Sequence, residues 1–231
     1  MNNEEAIVNV RAVLFDLDGT LLDTLPDLHA AICSTLKELG RPELSIEATS
    51  HYVGRGMAVL IKRALARSLD VGENNTLPVE EALACFRRHY AQENGRQARF
   101  FPGVLEGLKA LRAKGIPMAV VTNKPRMFTL PLLEATDLAQ YFSVVLSGED
   151  LPEKKPNPMP ITWACGRLNV LPEEVLFIGD SVNDFLAARA AGCRVFLLPY
   201  GYNEGRNVQE LGCDGIISSI ASGVEHISCE C

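Results

Sequence analysis

The chain has 231 residues, 47% of them hydrophobic and 22% charged, enough for one large globular domain or a core with a smaller insertion, and unlike a disordered chain. Its formal net charge of −7 argues against a nucleic-acid partner, whose phosphates demand clustered Lys and Arg. A small phosphorylated metabolite is not excluded, because a few local cations and a bound metal suffice for it.

The N-terminus, Met1-Asn2-Asn3-Glu4-Glu5, is acidic and lacks the basic start and apolar run of a signal peptide. No apolar stretch approaches the ~18 residues of a membrane span, so a cytoplasmic protein without a membrane partner is expected. The first strand signal is the apolar run 12–15, which ends at Asp16. The stretch 25–98 has no strand-like run. It shows helical periodicity instead, in Leu28, Ile32, Leu36 and Leu39, in Met57, Leu60, Ile61, Ala64 and Leu65, and in Val79, Leu83, Phe86 and Tyr90. This block reads as a helical cap, residues 25–98, inserted into a core of residues 1–24 and 99–231. Phe101-Pro102-Gly103 marks the return to that core.

Strand and helix then alternate. A helix over 104–114 closed by Gly115 precedes the run 118–121 before Thr122. A helix over 125–139 leads to the run 144–146 before Ser147, and one over 160–168 leads to 175–178 before Gly179-Asp180. A helix over 181–191 closed by Gly192 leads to 195–198 before Pro199. The short runs lack the alternation of a one-sided sheet, so they predict strands buried on both faces. The fold class is therefore α/β, a parallel sheet covered on both sides. Seven Cys are scattered along the chain, Cys33, Cys85 and Cys165 in helical segments and Cys229 and Cys231 in a loose tail. No pair has zinc-site spacing with His and no disulfide framework is visible, so reduced thiols, several buried, are expected. His29, His51, His89 and His226 read as surface or helix residues, and Trp163 as a packing residue.

In an open parallel sheet, ligands bind outside the carboxyl ends of the strands, and polar residues stand at those ends. Asp16 and Asp18 follow the first strand. Two carboxylates about 4 Å apart repel by roughly 4 kcal/mol at an effective dielectric near 20. A cation relieves this, and oxygen donors suit magnesium. Asp180 offers a third carboxylate, with Asp184 one helical turn further on. Taken singly each is an ordinary turn or cap aspartate; together they form a constellation. Asp16 is ionised at neutral pH and needs no base to act as nucleophile. Attack on phosphorus would form an aspartyl-phosphate, with Asp18, protonated when the ester binds, serving as acid and then base. Thr122, Asn123 and Lys155 supply donors for the transferring phosphoryl.

The motifs Asp16-Leu17-Asp18-Gly19-Thr20-Leu21, Thr122-Asn123, Lys155-Pro156 and Gly179-Asp180-Ser181-Val182-Asn183-Asp184 together resemble the phosphatase branch of the haloacid dehalogenase superfamily. The resemblance implies a Rossmann-like core with Asp16 as nucleophile and Asp18 as acid/base. It implies phosphate held by Thr122 and Lys155, with Gly19, Thr20 and Asn123 on the substrate side. Magnesium would be held by Asp16, by Asp18 through its backbone carbonyl, and by Asp180, with Asp184 behind them or reaching the metal through water. More narrowly, Leu25-Pro26-Asp27-Leu28, Gly54-Arg55-Gly56, Thr122-Asn123-Lys124-Pro125, Leu151-Pro152-Glu153-Lys154-Lys155-Pro156 and Tyr200-Gly201-Tyr202-Asn203 resemble the bacterial phosphoglycolate phosphatases, enzymes of carbohydrate metabolism. Arg55, between two glycines of a cap loop with Gly56 beside the site, is placed to pair with a substrate carboxylate. Other small sugar or sugar-acid phosphates remain open as substrates, as does a phosphomutase on the same scaffold. A non-catalytic phosphoacceptor module would need neither cap nor Asp18. A dehalogenase has no clear use for Asp18, and phosphonate cleavage would require a Schiff-base lysine such as Lys62. No motif specifies an oligomeric state.

Overall fold

The computed structural model of the chain describes residues 8–72 and 78–229. The first strands are β1 (Val8–Val10), β2 (Ala12–Phe15) and β3 (Leu22–Asp23). Four helices follow, α1 (Leu25–Glu38), α2 (Ile46–Tyr52), α3 (Met57–Ala66) and α4 (Val79–Glu93). Strand β4 (Arg99–Phe100) then leads into α5 (Val104–Ala113), β5 (Met118–Val121), α6 (Arg126–Ala135), β6 (Val144–Leu146), α7 (Met159–Leu168), β7 (Val175–Gly179), α8 (Val182–Ala191) and β8 (Arg194–Leu197). The chain closes through β9 (Gly215–Ile216), α9 (Ile220–Val224) and β10 (Ile227–Cys229).

All five apolar runs become neighbours in one parallel sheet of order β6-β5-β2-β7-β8-β9. Every residue of β2, β5 and β7 is buried. Successive side chains of a strand point to opposite faces. Val13, Phe15 and Val120 accordingly pack with Leu108 of α5 and Ile220 of α9, while Ala12, Leu14 and Phe177 pack with Ile161 of α7 and Ala187 of α8. Each buried Phe, Leu or Val stabilises the sheet by about 1.5–3 kcal/mol. Because β2 sits between β5 and β7, the chain reverses its lateral order there, and that is where a doubly wound sheet opens a crevice.

Helices α1 to α4 share a separate apolar cluster around Ile32, Leu60, Ile61, Phe86 and Tyr90. The antiparallel pair β3–β4 stands where the chain leaves for these helices and returns from them. Asp27, fully buried in the first turn of α1, accepts from the backbone N–H of Gly95 and of Gln97, both at 2.8 Å. One carboxylate thus ties the outgoing chain to the returning one.

Three expectations are corrected. The helix expected to run to 139 ends at Ala135, because Asp137 takes a left-handed turn (φ +56°) and the Leu138 N–H closes back on the Leu133 carbonyl. Buried Leu138 anchors that reversal. Cys229 lies in β10, paired in parallel with β1, rather than in a loose tail; Glu230 and Cys231, like Met1 to Glu5, lie outside the described residues. Trp163 is 38% exposed, with the Arg167 guanidinium over its ring, because the buried face of α7 is taken by Pro160, Ile161, Ala164 and Cys165. Among the described residues no helix is long and apolar enough to cross a membrane.

Removing the Asp27 carboxylate leaves two backbone donors without their partner. Asp27→Ala is expected to lower unfolding stability by roughly 2–4 kcal/mol, read from urea denaturation as a lower midpoint at unchanged slope.

Candidate active site

The C-terminal ends of β2, β5 and β7 bring Asp16, Thr122 and Asp180 to one edge of the sheet. Ligand atoms of Asp16, Asp180 and Asp184 lie within 4.8 Å of one another, all three residues buried. Lys155 enters between them, its Nζ 3.0 Å from Asp16 Oδ1 and 2.7 Å from Asp184 Oδ1. The loop that delivers it is pinned by Asn123, whose Nδ2 donates to the Lys155 carbonyl at 2.9 Å and whose Oδ1 accepts from the Lys155 N–H at 3.0 Å. The same Nδ2 also donates to the Gly54 carbonyl at 2.9 Å. The Asn123 amide, expected on the substrate side, is therefore engaged in holding Lys155 and the 54–56 loop.

Each carboxylate has its own restraint. Asp16 Oδ1 accepts from the Leu17 N–H at 2.7 Å. Asp184, in the first turn of α8, accepts from the Ser181 N–H and hydroxyl at 3.1 and 2.7 Å, a reciprocal cap with Ser181. Asp180 Oδ1 accepts from the Thr20 hydroxyl at 2.5 Å and Oδ2 from the Tyr202 N–H at 2.6 Å. Thr20, expected to face substrate, is thus turned onto Asp180. Gly19 (φ +86°) and Gly201 flank the same carboxylate, and a Cβ on either would stand 2.4 or 2.2 Å from Asp180 Oδ2. Only glycine fits at those two positions.

Asp18 lies toward the helices. Its Oδ1 accepts from the Thr24 hydroxyl at 2.7 Å and pairs with Lys124 Nζ at 3.1 Å. A cavity opens above Asp16, Asp18, Thr122 and Lys124, walled by Leu28, Met57, Leu60 and Phe86, with Tyr90 beside Lys124. Gly56 begins α3 at the rim of this cavity. Arg55 is not brought there: it is exposed and lines an outer groove with Glu153, Lys154 and Pro156.

Two parts of this arrangement escape the motif reading. Lys124 is present in the quoted Thr122–Pro125 segment, but only the fold shows that its ammonium meets Asp18. In the 200–203 segment, Tyr200 donates to the Thr20 carbonyl at 3.1 Å, Tyr202 reaches Asp23 Oδ1 at 2.5 Å, and Asn203 Oδ1 accepts from the Val182 N–H at 2.7 Å. This loop braces the Asp18–Asp23 turn and α8 from behind. The expectation of no zinc-site spacing between Cys and His concerns the order along the chain; the fold adds one grouping across two helices. Cys85 and His89 lie one turn apart on α4 and approach Glu38 of α1 within ligand distance. Spacing alone missed them because the third residue comes from another helix. There Glu38 is already paired with Arg88 and His89.

The buried charge is unbalanced. Burial, opposed by Lys155 and reinforced by Asp184, pushes Asp16 up from 3.8 to about 7, which corrects the expectation of a carboxylate fully ionised at neutral pH without help. Burial, then Asp184 and Asp16, drive Asp180 well above the ordinary carboxylate range despite its bonds from Thr20 and Tyr202. For Lys155 the desolvation that would pull an ammonium down is outweighed by Asp16 and Asp184, and it is held above its usual value. Carboxylates that resist ionising while gathered around a common point are what a divalent cation neutralises. With only oxygen donors, the group fits magnesium.

Asp16 binds its proton more tightly in the folded state. Its contribution to stability is therefore complete below about pH 4 and is lost as pH rises through about 7. Without divalent cation, the Tm of the wild type relative to Asp16→Asn is expected to fall between about pH 4 and pH 7 and to level off above. Magnesium should raise the wild-type Tm most at the upper end. Thermal melts at stepped pH test this, and a level difference across the range would contradict the buried-charge account.

Comparison with known proteins agrees with this geometry. Residues 13–198 match the family model described as haloacid dehalogenase-like hydrolase. The chain is 51% identical over 211 residues to a phosphoglycolate phosphatase of Nitrosospira multiformis, covering 91% of this chain and 92% of that protein. It is 48% identical over 212 residues to one of Thiobacillus denitrificans, covering 92% and 93%. A crystal structure of a predicted phosphoglycolate phosphatase from Haemophilus somnus superposes with a TM-score of 0.87 at 37% identity, covering 94% and 97% of the two chains. On these grounds the chain belongs to the haloacid dehalogenase-like hydrolase family.

Proposed function

We propose that the chain is a magnesium-dependent phosphatase that hydrolyses 2-phosphoglycolate to glycolate and phosphate in the cytoplasm. The observation that carries this reading is the convergence of Asp16, Asp18, Thr122, Lys155 and Asp180 at the strand ends beneath a small cavity roofed by helices. The name shared by the relatives supports the choice of ester. In this reading residues 25–98 form the cap and residues 1–24 and 99–231 the core.

Asp16, with its orientation set by Leu17 N–H and Lys155, attacks phosphorus, and the bond to the ester oxygen breaks. Asp18 gives its proton to the departing alkoxide, releasing glycolate. A water then attacks the aspartyl-phosphate. Asp18 takes the water's proton, the bond from phosphorus to Asp16 breaks, and phosphate leaves. Lys155 and the Thr122 hydroxyl meet the charge on the equatorial phosphoryl oxygens. Asp16, the Asp18 carbonyl and Asp180 would hold magnesium, with Asp184 fixing Lys155 behind them. The ion, when bound, offsets the negative charge of carboxylates and phosphate that would otherwise keep nucleophile and ester apart. The apolar walls Leu28, Met57, Leu60 and Phe86 limit bulk water around the leaving group. A phosphoacceptor module has no use for such a roof.

Asp16→Asn is expected to reduce turnover by a factor on the order of 10⁴ or more and to abolish the labelled phosphoenzyme trapped by acid quench. Near-normal turnover in that variant overturns the assignment of the nucleophile. In a panel of phosphate monoesters compared by kcat/KM, 2-phosphoglycolate should rank first. A sugar phosphate ranking above it, or isomerised sugar in place of released phosphate, overturns the assignment of the reaction.

A further inference from the structure

We infer that Lys124 is the specificity residue of this site and that its ammonium holds the carboxylate of the substrate. The inference rests on the functional reading above and names the group that selects among phosphate esters.

Lys124 lies on the loop after β5, two residues beyond Thr122, and its side chain is only 3% exposed. A buried cation keeps its place only with partners, and two are present. Nζ donates to Asp18 Oδ1 at 3.1 Å, with Oδ2 at 3.4 Å, and to the Tyr90 hydroxyl. It also stands 4.7 Å from the centre of the Tyr90 ring. An ammonium carries three protons. Three acceptor atoms, Asp18 Oδ1, Asp18 Oδ2 and the Tyr90 hydroxyl, stand within reach of Nζ, and the side chain so oriented also lines the cavity.

Among the described residues Lys124 is the one cationic side chain in the lining of that cavity; Asp16 and Asp18 are its carboxyl groups, and the remaining walls are apolar or uncharged polar. Lys155 is committed to the opposite side, between Asp16 and Asp184. An ester bearing a second anionic group thus finds a cation in this lining at one place, beside Asp18. The place is also the right distance along the molecule. Asp18, the proton donor to the leaving oxygen, touches Lys124. In a 2-phospho carboxylic acid the carboxylate is attached to the carbon that bears that same oxygen. Lys124 beside Asp18 therefore meets a carboxylate one carbon removed from the leaving oxygen, whereas a sugar phosphate would present hydroxyls there. Exposed Arg55, in its outer groove, does not line this space.

Tyr90 makes recognition depend on the helical layer. Its ring is wedged against Phe86 at 5.2 Å and Phe128 at 4.8 Å, so the hydroxyl that fixes Nζ is itself fixed. The carboxylate subsite is complete only when α4 is seated on the loop after β5.

The test compares 2-phosphoglycolate with 2-hydroxyethyl phosphate, which differs by a hydroxymethyl group in place of the carboxylate. The wild type should prefer the first. Lys124→Met is expected to lower kcat/KM for both esters, because Asp18 loses its partner, but by roughly 10- to 100-fold more for 2-phosphoglycolate, with the excess seen largely in KM. Tyr90→Phe, which retains the ring packing, should shift the same ratio in the same direction by a smaller factor and guards against a Lys124 variant that does not fold. If the wild type prefers 2-phosphoglycolate and both variants preserve that preference, Lys124 serves Asp18 alone and the inference is overturned. If the wild type shows no preference for 2-phosphoglycolate, the functional reading itself fails.

Discussion

Three buried carboxylates arranged around one buried ammonium set the terms for the rest of this molecule. Asp16, Asp180 and Asp184 carry more negative charge than Lys155 can balance. In a low-dielectric setting such a group disperses unless the backbone restrains it, and where it is restrained its carboxylates hold protons more tightly. The restraint comes from the sheet. Strands buried on both faces cannot shift without opening the apolar layers above and below them, so their carboxyl ends are fixed points. The donors around the carboxylates, Leu17 N–H, Ser181 N–H and hydroxyl, Thr20 hydroxyl and Tyr202 N–H, all come from segments immediately following those ends or braced against them. The apolar core therefore does electrostatic work, because it holds like charges at distances they would not choose.

The helical layer meets the rest of the chain through the packing of Tyr90 on Phe128 and through specific polar contacts. Asn123 reaches the Gly54 carbonyl, Lys124 meets Tyr90, and Arg63 of α3 pairs with Glu204 at 2.6 Å with both side chains largely buried. Removing one member of such a buried pair leaves the other charge uncompensated, which is far more costly than the pair's own contribution. The register of the layer over the site is thus specified by groups that must match. The apolar residues around Phe86 and Ile61 hold the helices to one another.

Much of this could be read in the chain before any fold was known, and the reason is physical. A strand buried on both faces must be apolar throughout, so 12–15, 118–121 and 175–178 announced themselves as uninterrupted runs, and the polar residues after them marked the site. Two kinds of feature escaped. Short edge elements such as β9, two residues long and only partly buried, have no periodicity to detect; their pairing is decided by the neighbouring strand. Helix α6 offered no glycine stop, and its end is set by Asp137 turning and Leu138 finding the core. Within the site, residue type announced which side chains had chemistry but not which way they faced. Arg55 looked like the anion partner because it is a cation in a glycine loop, yet it faces outward, and Lys124, in the midst of a quoted motif, is the cation turned inward. Thr20 and Asn123 have the donors that phosphate wants and give them to Asp180 and Lys155. Direction is a tertiary property, and single-residue chemistry does not carry it.

The pocket around Asp180 has one more consequence. With Gly19 on one side and Gly201 on the other, separated from the carboxylate by less space than a methyl group needs, this side chain has little room to swing back. A cation held there meets an inflexible wall. Magnesium, which binds oxygen at about 2.0–2.1 Å, is suited to such a wall, whereas calcium prefers about 2.3–2.6 Å and a looser, more numerous shell. In the proposed site, two glycines far apart in the chain thereby act as a gauge of ionic radius, set by the room they deny to Asp180.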